Sequence, residues 1–243
     1  KTLLPYLKKS KNKFNIYKKC VDVILKFQKI KPIKKIKLKS NQNINLQSYT
    51  ISNLHKESDL FFDWYLPAVL GKKSSKHKKI IKKELHSLYK KIFYKKLFFV
   101  HRDFHISNLM PNNNRIGVID TQDLILGNPM YDLASLIDDV RVKTPTHIKN
   151  KIFEYYFRNC SIQNKQEALL KNDFNILSIQ RNLKIIGIFY RLFKRDNKPQ
   201  YLRYLPYTWK LIELRIKNKI FKNLKTMLDN SINKKLRKKK FYK

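Results

Sequence analysis

Apolar residues recur at helical spacing over most of the chain. Between residues 14 and 30, Cys20, Ile24 and Phe27 fall on one stripe among polar neighbours, which predicts an amphipathic helix. The next stretch, residues 31–43 (KPIKKIKLKSNQN), is mostly polar and predicts a loop. The same periodicity predicts further helices over 53–66, 76–96, 131–142, 147–159, 173–195 and 205–228.

Short apolar runs interrupt the helical pattern near the middle of the chain. They are LFFV (97–100), NLMP (108–111) and RIGVI (115–119), and Asn112–Asn114 join the last two. Asn tolerates the left-handed backbone of tight turns, so these runs predict a small β-hairpin. The sequence therefore predicts an α+β domain that is mostly helical, with one hairpin at its centre.

Composition changes this picture little. The formal net charge is +38, from 55 Lys and Arg against 17 Asp and Glu. Such a charge is typical of proteins that bind nucleic acid or an anionic membrane. The lysines are spread along the whole chain, however, which also fits an AT-rich coding bias that fills solvated faces with Lys. No RNA-binding signature or zinc-finger spacing is present, so nucleic acid is not favoured as a partner.

Cysteine usage and hydropathy indicate a cytoplasmic protein. Cys20 and Cys160 are isolated, which suggests neither a metal site nor a disulfide framework. No apolar run approaches the ~20 residues of a membrane span. The N-terminus is basic but lacks the apolar segment of a secretion signal.

Acidic residues are scarce, yet several lie in VHRDFHISNLMPNNNRIGVIDTQD (100–123). A hairpin brings its two ends together, so Asp103, Asn108 and Asp120 are expected to converge. A carboxylate beside a carboxamide suits Mg²⁺, and a second carboxylate can accept a proton from a hydroxyl. The alternative is a loop with Asx turns and a surface ion pair. The ordered set H-R-D-x-x-x-x-N plus a strand-borne Asp favours phosphoryl transfer.

This stretch also resembles a known family. VHRDFHISNLM…IGVIDTQDLILGNPMYDLASLIDD is similar to the core of the aminoglycoside phosphotransferase/choline kinase superfamily. LFFDWYLP (60–67), QRNLKIIGIFYRLFKRDNKPQYLRYLP (180–206) and Trp209 resemble the bacterial anomeric kinases of N-acetylmuramate and N-acetylglucosamine, which act in cell-wall recycling. The resemblance implies a protein-kinase-like fold, represented by its mostly helical C-terminal lobe.

The resemblance also implies roles for the acidic cluster. Asp103 would be the catalytic base, and Asn108 and Asp120 would hold Mg²⁺ on the phosphates of ATP. Asp123 stands at the family's second acidic position, close to the same site. Asp132 resembles the buried Asp that supports the catalytic loop through hydrogen bonds.

Neighbouring positions receive weaker assignments. His101 and Arg102 are expected to support the loop rather than to react. His105 is either a substrate contact or a packed imidazole. Thr121 departs from the family, in which an apolar aromatic residue usually follows the metal-binding Asp.

Two helical segments carry candidate acceptor contacts. Glu57, Trp64, Arg181 and Asn182 combine an aromatic ring with side chains that can bind sugar hydroxyls. A tryptophan on a helix is more often simply a core residue, which is the alternative for Trp64. Arg181 and Asn182 also fit a purely structural role that anchors their helix.

The chain contains four glycines and no glycine-rich loop of the kind that covers ATP phosphates in kinases. KTLLPYL resembles the family's sequence just after the hinge between lobes. We therefore expect residues 1–229 to be a C-lobe whose N-lobe is missing, because the sequence is incomplete, the gene is split or the lobe has decayed. A surviving N-lobe would act in cis or in trans. Residues 230–243 are expected to be a frayed basic tail. Residues 1–243 alone are expected to show little activity.

The sequence thus predicts an ATP- and Mg²⁺-dependent kinase of a small-molecule hydroxyl. The resemblance implies the anomeric hydroxyl of an amino sugar as the acceptor. An aminoglycoside, choline or homoserine is the alternative acceptor. A different class of function, a basic nucleic-acid-binding relic of a kinase lobe, would have no use for Asp103.

Overall fold

The structure is a computed structural model that describes residues 1–37, 39, 41–113, 115–162, 167–238 and 241. The helices are α1 (Leu3–Lys9), α2 (Lys13–Lys29), α3 (Ile51–Leu60), α4 (Leu66–Leu70), α5 (Ser74–Lys90), α6 (Met130–Ile137), α7 (Thr146–Asn159), α8 (Glu167–Lys194), α9 (Leu205–Arg215), α10 (Lys222–Ser231) and α11 (Lys234–Arg237). The strands are β1 (Lys35–Lys37), β2 (Asn43–Asn45), β3 (Phe98–Val100), β4 (Leu109–Asn112), β5 (Arg115–Val118) and β6 (Ile125–Gly127).

The chain divides into two compact units. The first comprises Lys1–Tyr49 and Phe93–Phe174, and the second comprises Thr50–Ile92 and Asn175–Lys243. In the part of the chain that the structure describes, no helix is both long and apolar enough to cross a membrane.

In the first unit, α2 packs against α6 and α7. Cys20 and Ile24 from its predicted apolar stripe are buried. The Tyr17 hydroxyl lies 2.7 Å from Thr144 Oγ1, so this buried hydroxyl has a hydrogen-bond partner. The predicted amphipathic helix is confirmed, because its apolar face forms one wall of the core.

The described strands of the first unit pair β1 with β2, β3 with β6 and β4 with β5, all antiparallel. The β4–β5 pair is the predicted hairpin, and Asn114 in its turn lies outside the described residues. The β1–β2 pair shows that the loop predicted over 31–43 was wrong. An antiparallel ribbon is joined by backbone hydrogen bonds, which a polar sequence supplies as well as an apolar one.

A buried carboxylate fixes the entry to α6. Asp173 accepts hydrogen bonds from the backbone N–H groups of Phe93 and Tyr94, at 2.7 and 2.9 Å, and from Asn128 Nδ2 at 2.8 Å. Asn128 Oδ1 in turn accepts from the N–H of Met130 at 2.9 Å. Burial raises the pKa of Asp173 above its ordinary value. These bonds fix where α6 begins, and α6 carries one of the predicted site residues.

In the second unit, the helix predicted over 53–66 forms, but its hydrogen-bond pattern changes from α-helical to π-helical and back. α3 ends at Leu60, Phe61–Tyr65 is a turn of π-helix, and α4 follows. Gly187 of α8 lies against this turn. A Cβ placed on Gly187 would stand 2.2 Å from the carbonyl carbon of Leu60, so the two backbones are in direct contact. Only a residue without a side chain permits this approach.

The second unit corrects two further predictions. The helix predicted over 205–228 is interrupted by the 3₁₀ turn Lys219–Phe221, which Asn218 caps by accepting from a backbone N–H. The tail after residue 229 is not simply frayed, because it contains α11. Arg237 at the end of α11 is buried and forms ion pairs with two acidic side chains. Residues 239, 240, 242 and 243 lie outside the described residues.

Two histidines link α3 to α5. His55 Nε2 and His86 Nδ1 are 3.0 Å apart, and their rings are stacked. Burial lowers the pKa of His55 below its usual 6.5; His86 and Lys82 lower it further, and Asp59 opposes them. Tyr89 completes the surroundings with an edge-on ring contact.

Because His55 is harder to protonate in the folded than in the unfolded state, its stabilising contribution is present above pH 6.5 and is lost as the pH falls below it. We therefore expect His55→Gln to flatten the dependence of the unfolding free energy on pH below 6.5, measured by urea titration. His147→Gln, at an exposed position of α7, should leave the profile unchanged. A His55→Gln profile parallel to that of the parent protein would contradict the assignment.

Candidate active site

The segment that carries Asp103 is attached to α6 by hydrogen bonds. β3 ends at Val100, and the next two backbone N–H groups both donate to the Asp132 carboxylate: His101 N at 2.8 Å and Arg102 N at 3.0 Å. Asp132 lies in the first turn of α6 and is buried. The two hydrogen bonds compensate the cost of removing the Asp132 carboxylate from water. They also fix the path of the chain just before Asp103.

The loop after Asp103 folds back on itself. The Asp103 carbonyl oxygen accepts from the N–H of His105 at 2.9 Å and from Asn108 Nδ2 at 3.1 Å. Residues Ile106–Asn108 form a 3₁₀ turn, and the N–H of Ile106 donates to Asp139 Oδ2 at 3.1 Å. The Asp103 side chain itself is half-buried. These bonds place the Asn108 carboxamide beside the backbone of Asp103.

Asp120 follows the second hairpin strand and lies next to Asn108. Its backbone is left-handed, with φ 71° and ψ 44°, and its side chain is exposed. Asn108 Nδ2 lies 3.5 Å from Asp120 Oδ2, and Gln122 Nε2 donates to Asp120 Oδ1 at 2.9 Å. His101, fully buried, holds the same end of β5 through Nε2, 3.0 Å from the Ile119 carbonyl oxygen. The loop and the hairpin thus bring the Asn108 carboxamide next to both the Asp103 backbone and the Asp120 side chain.

Arg102 and Asp123 form a looser link across the cluster. Arg102 Nη1 is 3.8 Å from Asp123 Oδ1, and the Asp123 side chain is 57% exposed, so this ion pair adds little stability. Arg102 also has a left-handed backbone, with φ 71°. A non-glycine residue in this conformation stores local strain, and the two hydrogen bonds to Asp132 hold the chain there.

The cluster fits a magnesium ion that also binds phosphates. No group of three or more His, Cys, Asp or Glu side chains in the described part of the chain could hold a metal ion. Mg²⁺ usually takes only one or two protein oxygens and completes its shell with water and substrate phosphates. Asp120 could supply one carboxylate oxygen, and Asn108, whose Nδ2 lies 3.5 Å from Asp120 Oδ2, could supply its Oδ1 as a second ligand.

The four candidate acceptor contacts predicted on helices all lie in the second unit. Glu57 is buried and accepts from Lys184 Nζ at 2.9 Å and from Gln180 Nε2 at 3.1 Å. Asn182 is also fully buried and donates to the Ser178 carbonyl oxygen at 2.8 Å within α8. Both side chains therefore have structural hydrogen bonds, although Asn182 Oδ1 has no partner within the described structure.

Arg181 and Trp64 differ from these two. Arg181 is buried at 3% exposure, and its Nη1 has no hydrogen-bond partner within the described structure. Trp64 is half-exposed in the π-turn and does not belong to the fully buried core. His105 is buried at the start of the 3₁₀ turn in the first unit, which favours the packed imidazole over the substrate contact.

Sequence reasoning missed two residues of the cluster. Asp139 was not singled out, although it bonds the N–H of Ile106 and also Arg141. The feature that could have identified Asp139 is the acidic pair in IDD at the end of α6, because acidic residues are scarce in this lysine-rich chain. Gln122 was missed because an exposed Gln in a turn has no distinctive pattern.

Comparison with known proteins now decides the family. Residues 10–167 match the phosphotransferase enzyme family APH. The chain belongs to this family. It is 28% identical over 201 residues to the N-acetylmuramate/N-acetylglucosamine kinase of Pseudomonas putida, covering 80% of this chain and 56% of that protein. The enzyme of the same name from Pseudomonas aeruginosa is 31% identical over 173 residues, covering 69% and 51%. The chain spans about half the length of these curated relatives.

Solved structures show the APH fold. The choline/ethanolamine kinase family protein from Mesorhizobium loti superposes with a TM-score of 0.61 at 11% identity, over 96% of this chain and 70% of that chain. The ADP-bound aminoglycoside phosphotransferase APH(2'')-Ib superposes with a TM-score of 0.52 at 18% identity, over 90% and 69%. At these identities the likeness establishes the fold alone. The mostly helical α+β fold that the sequence predicts is confirmed.

Proposed function

We propose that the protein transfers the γ-phosphoryl group of ATP to a hydroxyl of a small molecule, with Mg²⁺. The observation that carries the proposal is that the Asn108 carboxamide lies against both the backbone of Asp103 and the carboxylate of Asp120. The family match supports the reaction class, and the ADP in an aminoglycoside phosphotransferase of the same fold supports a nucleotide as phosphoryl donor.

Each side chain has a defined task in this proposal. Asp103 orients the acceptor hydroxyl and takes its proton, as a general base does. Asn108 and Asp120 hold Mg²⁺, which when bound neutralises charge on the phosphates. Asp132 maintains the position of Asp103 by bonding the two preceding N–H groups. Catalysis then consists mainly of positioning and charge compensation.

His101 and Arg102, the other predicted residues beside the base, contact the residues that follow β5. His101 connects the loop to the end of β5 through the Ile119 carbonyl oxygen. Arg102 links the same loop to the turn that carries Asp123. Both tasks are structural, which agrees with the support role that the sequence implies for them.

For the acceptor we propose the anomeric hydroxyl of an amino sugar, N-acetylmuramate or N-acetylglucosamine, during cell-wall recycling in the cytoplasm. The support is the distant similarity to two kinases named for these sugars. Arg181, which is buried and whose Nη1 has no hydrogen-bond partner within the described structure, stays a predicted contact. Trp64, Glu57, Asn182 and His105 stay predictions.

The test uses the protein expressed from its complete reading frame, incubated with Mg²⁺, ATP and each sugar. We expect a new anomeric phosphate signal in the ³¹P NMR spectrum. The matched control is the methyl glycoside of N-acetylglucosamine, in which the anomeric oxygen is blocked, and it should give no product. Product from the methyl glycoside, or from choline or an aminoglycoside alone, would refute the proposed acceptor.

A further inference from the structure

We propose that Gln122 is a positioning residue that orients the Asp120 carboxylate for the divalent cation, an inference that rests on the proposed phosphotransferase function. Gln122 Nε2 donates to Asp120 Oδ1 at 2.9 Å. Among the described residues, the only other side-chain hydrogen bond to this carboxylate comes from Asn108 Nδ2, at 3.5 Å. The bond from Gln122 is thus the shorter and the better formed of the two.

Asp120 needs such a partner because little else restrains it. Its side chain is exposed and its backbone is left-handed, so core packing does not select its rotamer. The 3₁₀ turn Thr121–Asp123 is closed by the bond from Leu124 N to the Thr121 carbonyl oxygen at 3.1 Å, and the Gln122 side chain reaches back to Asp120. The turn therefore supplies an orienting donor from only two residues away.

The chemistry of the donor suits a cation site. A carboxylate has several lone pairs, so one oxygen can accept from Gln122 while others bind a cation. In a chain with 55 Lys and Arg residues, both groups on this carboxylate are neutral amides. A lysine in place of Gln122 would bond Asp120 equally well but would repel the metal ion. Donors that orient metal-binding carboxylates typically contribute about 10- to 100-fold to metal affinity or activity.

Because Gln122 is exposed, it has no packing role, and Gln122→Met removes the donor while keeping a side chain of similar length. The primary measurement is binding of Mn²⁺ alone, without nucleotide or acceptor, by electron paramagnetic resonance of the free ion. We expect about 10-fold weaker binding and an unchanged melting temperature. Gln200→Met, at an exposed position of the second unit, is the matched control and should bind as the parent protein does.

A second readout separates positioning from a general loss of structure. In the active protein, Gln122→Met should raise the Mg²⁺ concentration for half-maximal rate about 10-fold and leave kcat at saturating Mg²⁺ nearly unchanged. Unchanged Mn²⁺ affinity in Gln122→Met, with weakened binding in Asp120→Asn, would overturn the inference and leave the metal site intact. Unchanged binding in both variants would overturn the metal site as well. Weakened Mn²⁺ binding in both variants without sugar phosphorylation would uphold the inference and refute the acceptor.

Discussion

Replacing Asp103 with Asn is expected to lower kcat by about 10³-fold, because the acceptor hydroxyl loses the group that takes its proton. The fold should persist, since the bonds from Asn108 and His105 end on the backbone carbonyl oxygen of Asp103, which the substitution does not alter. The KM for the acceptor should change little, because Asn keeps the shape and one oxygen of Asp. Steady-state kinetics with Mg-ATP and the amino sugar measure both constants.

Asp196→Asn is the matched control for this result. Asp196 pairs with its neighbour Arg195 in the second unit, so the substitution removes one acidic charge from a lysine-rich chain without touching the cluster. It should leave kcat unchanged. An Asp103→Asn variant with parental kcat, or one whose loss of rate is matched by Asp196→Asn, would show that Asp103 is not the base.

The local geometry around the candidate site was the most predictable part of the molecule. The spacing from Asp103 to Asn108 and the hairpin that returns to Asp120 are local features, and short loops and tight turns leave few alternative arrangements. The support from Asp132 came from family resemblance, since no local pattern shows that a carboxylate in α6 bonds two N–H groups of the loop. Its residue type and spacing alone fit an exposed helix N-terminus equally well.

The rest of the fold was predictable where an element buries one face and unpredictable where it does not. α2 was found because its buried stripe repeats at helical spacing. β1 and β2 were missed because the sequence of a short ribbon joined by backbone bonds need not alternate. β6 was missed because three residues, Ile125–Gly127, carry too short a pattern, and only their pairing with β3 makes them a strand.

Gly187→Ala is expected to lower the free energy of unfolding by about 3 kcal/mol, although Ala is the better helix former. In an ordinary helix the substitution would stabilise by about 1 kcal/mol. Here the new Cβ would lie 2.2 Å from the Leu60 carbonyl carbon and 2.4 Å from the N–H nitrogen of Phe61, and backbone atoms cannot move aside as a flexible side chain can. The steric cost should therefore outweigh the gain in helix propensity.

The design of the measurement follows from where the tryptophans lie. The chain contains two, Trp64 and Trp209, and both belong to the second unit with Gly187, so urea titration followed by tryptophan fluorescence reports on that unit. Gly117→Ala is the steric control, because a Cβ there meets nothing closer than the Met110 carbonyl oxygen at 3.8 Å. Gly117 lies in the first unit, so its stability is followed by circular dichroism, and the substitution should be nearly neutral. A Gly187→Ala protein more stable than its parent would mean that α8 and the π-turn do not touch. Destabilisation confined to Gly187→Ala would explain why a glycine stands among bulky apolar residues in the C-terminal part of α8.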